Sequence, residues 1–205
     1  MRRLLSLAIL AGAPAALAAA GVAGLVFLSA CGITSNSAGG TGRVNVLVTD
    51  AASDDWQQVT VVLKSIGLRK HDDQSWNDVW TADPNKPNAG TLNLVDLAGV
   101  ATYLGSATIP AGTYDRLRLV INTDPATMTL VDDSGKQYAT ADIKVVDPSG
   151  NGEIKVDIKP ALTVADNGTA NLQVDFDLAH PLSISVINGK VVINLQIRHK
   201  AVPRN

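Results

Sequence analysis

The chain has a single cysteine, Cys31, in 205 residues. No intramolecular disulfide can form, so the fold must be held by its core. Aromatic residues are scarce, at 4% of the sequence, and a flat platform for sugar rings would rest on Trp56, Trp76 and Trp80. Basic excess is also absent. The formal net charge is −2 and becomes −4 once residues 1–30, which carry Arg2 and Arg3 and no acid, are set aside. That mild acidity argues against nucleic acid, whose binding calls for a basic stripe or patch. The three histidines, His71, His180 and His199, lie in no HExxH spacing, and neither a GxSxG elbow nor a phosphate-cradling glycine loop accompanies them. A histidine acting with Asp175 as acid and base requires the fold to bring the two within hydrogen-bond reach. No internal repeat is present.

What the chain does have begins at its N-terminus. Met1-Arg2-Arg3 precedes an uncharged, alanine-rich apolar stretch that ends at Leu28-Ser29-Ala30-Cys31, the layout of an export signal. The tetrapeptide resembles the bacterial lipobox. That resemblance implies cleavage between Ala30 and Cys31, a thioether-linked diacylglyceryl group on Cys31, and acylation of the new amino terminus. Small residues suit a peptidase that must bring the scissile bond to a bilayer surface. Acyl chains contribute about 0.8 kcal/mol per buried methylene, so two or more give a stable anchor. The expected location is the bacterial cell envelope, exported and membrane-anchored, with the outer membrane favoured in a diderm because Gly32 rather than an aspartate follows Cys31. The alternative is an uncleaved span, since the apolar run exceeds the roughly 18 residues that a bilayer requires. Residues 32–42, GITSNSAGGTG, have the composition of a flexible tether with a mean reach of about 18 Å. The expected division is a signal peptide at 1–30, lipidated cysteine and tether at 31–42, one β domain at 43–200 and a tail at 201–205.

From Arg43 onward, strand signals dominate. In residues 43–50, Val44, Val46 and Val48 alternate with polar neighbours, which predicts a half-buried strand. Residues 58–68 continue with Val59, Val61 and Leu63, then switch parity to Ile66 and Leu68, which places a candidate bulge at 65–67. Residues 91–97 read as a strand and 98–104 as a short helical turn. Further short β-prone runs follow at 116–122, 128–131, 138–145 and 154–158. In residues 171–178, Leu172, Val174 and Phe176 alternate with Asn171, Gln173, Asp175 and Asp177. Asn188-Gly189 joins two β-branched runs, the strongest short hairpin signal. Many short strands with few helices predict an all-β fold, a single antiparallel Greek-key-like β-sandwich behind the signal peptide and flexible tether.

These segments together resemble a bacterial lipoprotein family catalogued as domain of unknown function 4382. The resemblance rests on VTDA at 48–51, LVDLAG at 94–99, IPAGTYDRLRL at 109–119 and VDFD at 174–177, with a strand at 59–63 between the first two. It spans about residues 43–198. It implies a secreted or anchored β-sandwich and brings no established reaction.

Four groups of residues are candidates for particular roles. Tyr114, two residues after Gly112, fits a tyrosine corner whose hydroxyl ties a crossover to nearby backbone. Asp175 and Asp177, with Asp50, are candidate ligand or metal residues; calcium would require 6 to 8 oxygens, and the ordinary alternative is hydrogen-bonded carboxylates on a wet strand face. Trp76 and Trp80, evenly spaced, would share a strand face and present rings to a carbohydrate, against the default of burial. Asn167-Gly168-Thr169 matches a glycosylation sequon but reads as a turn. No cofactor is expected beyond that possible calcium. The leading functional expectation is a lipid-anchored, noncatalytic interaction or structural domain with an envelope partner. The alternative is a carbohydrate- or small-ligand-binding lipoprotein, and a hydrolase with an unrecognised site ranks behind both.

Overall fold

The computed structural model describes residues 39–51, 53–180 and 183–200. Strand alternation builds the first sheet. In β1 (Thr41–Asp50) Val44, Val46 and Val48 are fully buried, and in β10 (Thr169–Phe176) Leu172, Val174 and Phe176 are. The two strands run parallel, from Arg43 opposite Thr169 to Asp50 opposite Phe176, so their apolar stripes lie side by side. Antiparallel neighbours β5 (Thr102–Pro110) and β13 (Ile197–Lys200) complete the order β13-β10-β1-β5. Strand structure begins at Thr41, two residues before the expected start of the domain.

The second sheet is organised by the long β2 (Trp56–Lys70). Its order is β3-β2-β6-β9, with β3 at Asn77–Thr81, β6 at Gly112–Ile121 and β9 at Glu153–Val164. The first half of β2 pairs instead with β4 (Thr91–Asn93) and β7 (Thr129–Asp132). A smaller sheet joins β11 (Ile184–Ile187), β12 (Lys190–Ile193) and β8 (Ile143–Val145). Val46, Val48 and Phe176 from the first sheet share one core with Leu63, Ile66, Leu117 and Leu119 from the second. Each such side chain contributes about 1.5–3 kcal/mol on burial, and this core carries the stability that disulfides supply elsewhere. The architecture is an all-β sandwich. Its pairings are mostly antiparallel, with β1–β10 and β8–β12 parallel.

Local departures from the sequence expectations have physical causes. The strand expected over 91–97 stops at Asn93, and a 3-10 turn, Leu94–Leu97, follows. Leu94 and Leu97 are both buried; residues three apart share a face in a 3-10 turn, whereas a strand would send them to opposite sides. The helical turn expected over 98–104 is absent, and β5 starts at Thr102. β5 buries only Ile109, so it carries no period-two signal. The bulge falls at Lys64: Leu63 faces Ile121 and Ser65 faces Val120, leaving Lys64 as the extra residue. The hairpin forms as expected, with Ile187 opposite Lys190 and both Asn188 (φ 52°) and Gly189 (φ 77°) left-handed. No helix among the described residues is long and apolar enough to cross a membrane.

Candidate functional site

The carboxylates singled out in the sequence gather at one end of the β1–β10 pair. Asp50 is the last residue of β1 and continues the parity of Val44, Val46 and Val48, so its side chain falls on the core-facing stripe and is only 3% exposed. Its Oδ1 accepts the Leu178 N–H at 2.9 Å, which ties the end of β1 to the chain leaving β10. Oδ2 has no hydrogen-bond partner among the described residues. Burial pushes the Asp50 carboxyl up to about 7, against the lowering effect of the Leu178 and Ala51 amides; the nearby Asp175 and Asp177 charges push the same way.

Asp177 is also buried and forms an ion pair with Arg198. Arg198 stands opposite Asp175 in the β10–β13 register. The calcium arrangement considered for Asp50, Asp175 and Asp177 is not what these strands assemble: among the described residues no group of three or more metal-ligating side chains converges. Asp50 takes the core-facing parity and Asp175 the opposite one, and a guanidinium already serves Asp177. His199 on β13 is half-buried with both ring nitrogens unpartnered among the described residues, and burial lowers its pKa. His180 donates its backbone N–H to the Asp177 carbonyl.

The tryptophans do not form the shared platform that their spacing predicts. Ile66 pairs with Trp80 and Gly67 with Asp78, so β3 carries an extra residue at Val79 and the parity breaks between Trp76 and Trp80. Trp80 packs against the core and beside Gly105. Trp76 lies under two guanidinium groups, with Arg118 Cζ 4.8 Å and Arg69 Cζ 5.3 Å from its ring centre. Arg118 also pairs with Asp78 at 3.1 Å and Glu153 at 3.4 Å. Trp56 is buried, 5.9 Å from the Tyr138 ring. All three indoles are thereby committed to structure.

His71 Nδ1 meets Asp115 Oδ2 at 2.6 Å on the surface, and that hydrogen bond holds the imidazole pKa above its ordinary value. The sequence names neither Asp115 nor this pairing, which depends on the register that sets Lys70 opposite Tyr114.

A groove of about 830 Å³ crosses the outer side of β2. Thr60, Val62 and Lys64 form part of its floor, residues 81–91 one wall, and Asn122, Thr127 and Thr129 the other. No tryptophan lines it. Lys64 went unnoticed in the sequence, although the parity switch between Leu63 and Ile66 signals an extra residue there.

Residues 41–194 match the family described as Domain of unknown function (DUF4382). The chain belongs to that family. The DUF4382 match covers both large sheets almost entirely, and it stops just past β12. Within this DUF4382 domain, VTDA and VDFD are the segments that bring Asp50 and Asp177 to the same end of the sandwich. The segment 109–119 contains Tyr114. No curated protein matches the chain. Ala30 and Cys31, the expected cleavage and lipidation residues, lie outside the described residues.

Proposed function

We propose that this protein is a lipid-anchored cell-envelope protein whose β-sandwich serves as a noncatalytic interaction or structural domain. The observation that carries the reading is the Leu28-Ser29-Ala30-Cys31 tetrapeptide, followed by only residues 32–40 before β1 opens at Thr41. Acylation of Cys31 would then hold the sandwich beside the bilayer on a short polar tether. The commitment of polar side chains to the fold supports binding or scaffolding over a reaction. Asp132 and Asp147 accept hydrogen bonds from the amides of their own turns, Asp177 pairs with Arg198, and Arg118 bridges Asp78 and Glu153. An interaction role is further supported by β11, at the edge of its sheet, where Val186 and Ile187 are about half exposed.

Intact mass and membrane fractionation of the wild type beside Cys31→Ala in a bacterial host test the anchor. The expected wild-type product starts at Cys31, carries acyl chains and sediments with membranes; the variant stays folded and loses the acyl mass. An unmodified wild-type chain still starting at Met1 would overturn the lipid anchor.

A further inference from the structure

We infer that the groove across β2 is a binding site for an anionic saccharide. Three observations converge on it.

The first is that its walls are fixed before any ligand arrives. Ala82 donates its N–H to the Lys64 carbonyl at 2.9 Å and Leu63 donates to the Gly90 carbonyl at 2.8 Å, so both ends of the 81–91 wall are tied to the β2 main chain. Across the groove, Asn122 donates its N–H to the Val62 carbonyl at 2.8 Å, and Thr127 Oγ1 donates to the Asp124 carbonyl at 2.8 Å. A volume of about 830 Å³ suits a ligand of a few sugar units, since small-molecule sites span about 300–1,000 Å³.

The second observation is the chemistry of the lining. Residues with hydroxyl or amide side chains, Thr60, Thr81, Thr91, Thr129, Asn88 and Asn122, are among those that line the groove. Each such group both donates and accepts, which matches the vicinal hydroxyls of a sugar. No aromatic ring lines the groove, so recognition there proceeds by hydrogen bonds and charge rather than by stacking.

The third observation is Lys64 itself. It is the extra residue of the β2 bulge, a device that re-aims a side chain out of the ladder. The only lining carboxylate, Asp83, is engaged by Lys86 at 3.8 Å. Lys64 has no ion-pair partner among the described residues and is the surplus cation of the lining. A polyhydroxyl ligand carrying a carboxylate or a phosphate satisfies both the hydroxyl lining and this charge.

Calorimetric titration of the purified full chain tests the site, using trigalacturonate, glucose 6-phosphate and neutral maltotriose as probes. Saturable binding of an anionic probe is expected, with maltotriose at least tenfold weaker. Lys64→Gln should weaken the anionic probe at least tenfold, and Asn88→Asp, which adds a carboxylate to the lining, should do the same. Binding of trigalacturonate alone assigns a carboxylated sugar, and binding of glucose 6-phosphate alone assigns a phosphorylated one. Absence of binding by both, equal binding of maltotriose, or undiminished binding by Lys64→Gln would overturn the inference. Cys31→Ala should titrate as the wild type does, so failure of the anchor and failure of the groove are separable.

Discussion

Tyr114 Oη donates a hydrogen bond to the carbonyl of Pro110, 2.6 Å away and four residues upstream. The ring is fully buried, and Ala111, the one residue between β5 and β6, makes the crossover that the bond closes. β5 belongs to one large sheet and β6 to the other, so this is where the chain changes sheets. Such a bond is the tyrosine corner of Greek-key sandwiches. Lys70 Nζ donates to the Ala111 carbonyl at 2.7 Å, holding the same crossover from β2. Tyr114→Phe keeps the apolar ring and removes only the donor, leaving a carbonyl with one partner fewer. The expected cost is about 1–2 kcal/mol, read as a lower urea midpoint with an unchanged m-value. A midpoint equal to wild type would mean that the hydroxyl does not hold the corner.

The Asp50 carboxyl makes stability depend on pH. Its folded pKa of about 7 lies above its ordinary value because the charged form is buried. The folded state therefore holds a proton that the unfolded state has released. The resulting stabilisation is fully present below about pH 4 and is lost as pH rises through about 7, with a slope of at most about 1.4 kcal/mol per pH unit. Asp50→Asn retains an oxygen for the Leu178 N–H and cannot ionise. Urea unfolding from pH 4.5 to 7.5 should show a shallower decline in the variant than in the wild type, and the difference isolates this group from other titrations. Parallel declines would place the Asp50 pKa in the ordinary carboxylate range.

How far the fold was legible follows from which contacts are local. Val44, Val46 and Val48 announce β1, and Leu172, Val174 and Phe176 announce β10, because alternation is written in adjacent residues. Their parallel pairing joins Asn45 to Asn171 across most of the domain, and their side chains hydrogen-bond at 2.9 Å; no neighbouring residue signals that. Tyr114 was readable because its partner lies four residues away. Asp50 and Asp177 were each visible as acids, but their burial was not, because it depends on distant partners: Gly99 and Leu178 meet Asp50, and Ser183 meets Asp177. The bulge at Lys64 was visible to within a residue, yet its position required the register with β6. Trp76 and Trp80 misled by their even spacing, since one extra residue at Val79 reverses a strand's faces.

Gly90 fixes one wall of the β2 groove. Its φ of +76° is left-handed, and a Cβ there would collide with the Leu63 carbonyl oxygen. Gly99 has a similar φ of +69° with open space around it. Gly99→Ala should therefore cost only the conformational penalty, about 1–2 kcal/mol. Gly90→Ala should cost measurably more, because the wall must also move away from β2 and strain the Leu63 N–H to Gly90 hydrogen bond. Equal losses in thermal unfolding would show that the wall yields without resistance.

The His71–Asp115 pair offers a direct readout, because His71 is exposed and its pKa is raised mainly by the hydrogen bond it donates to Asp115. The same contact lowers the Asp115 carboxyl. Imidazolium is thus favoured in the folded chain: the stabilisation is fully present below the unfolded histidine pKa and is lost as pH rises through the higher folded value. In a proton NMR titration the His71 ring resonances should move at a pH above about 6.5, the unperturbed value. Asp115→Asn should bring that midpoint back toward the unperturbed value while leaving His199 displaced to lower pH by its own burial. If His71 titrates identically in both proteins, the 2.6 Å contact does not persist in solution and the 71–75 turn is not held to β6 through it.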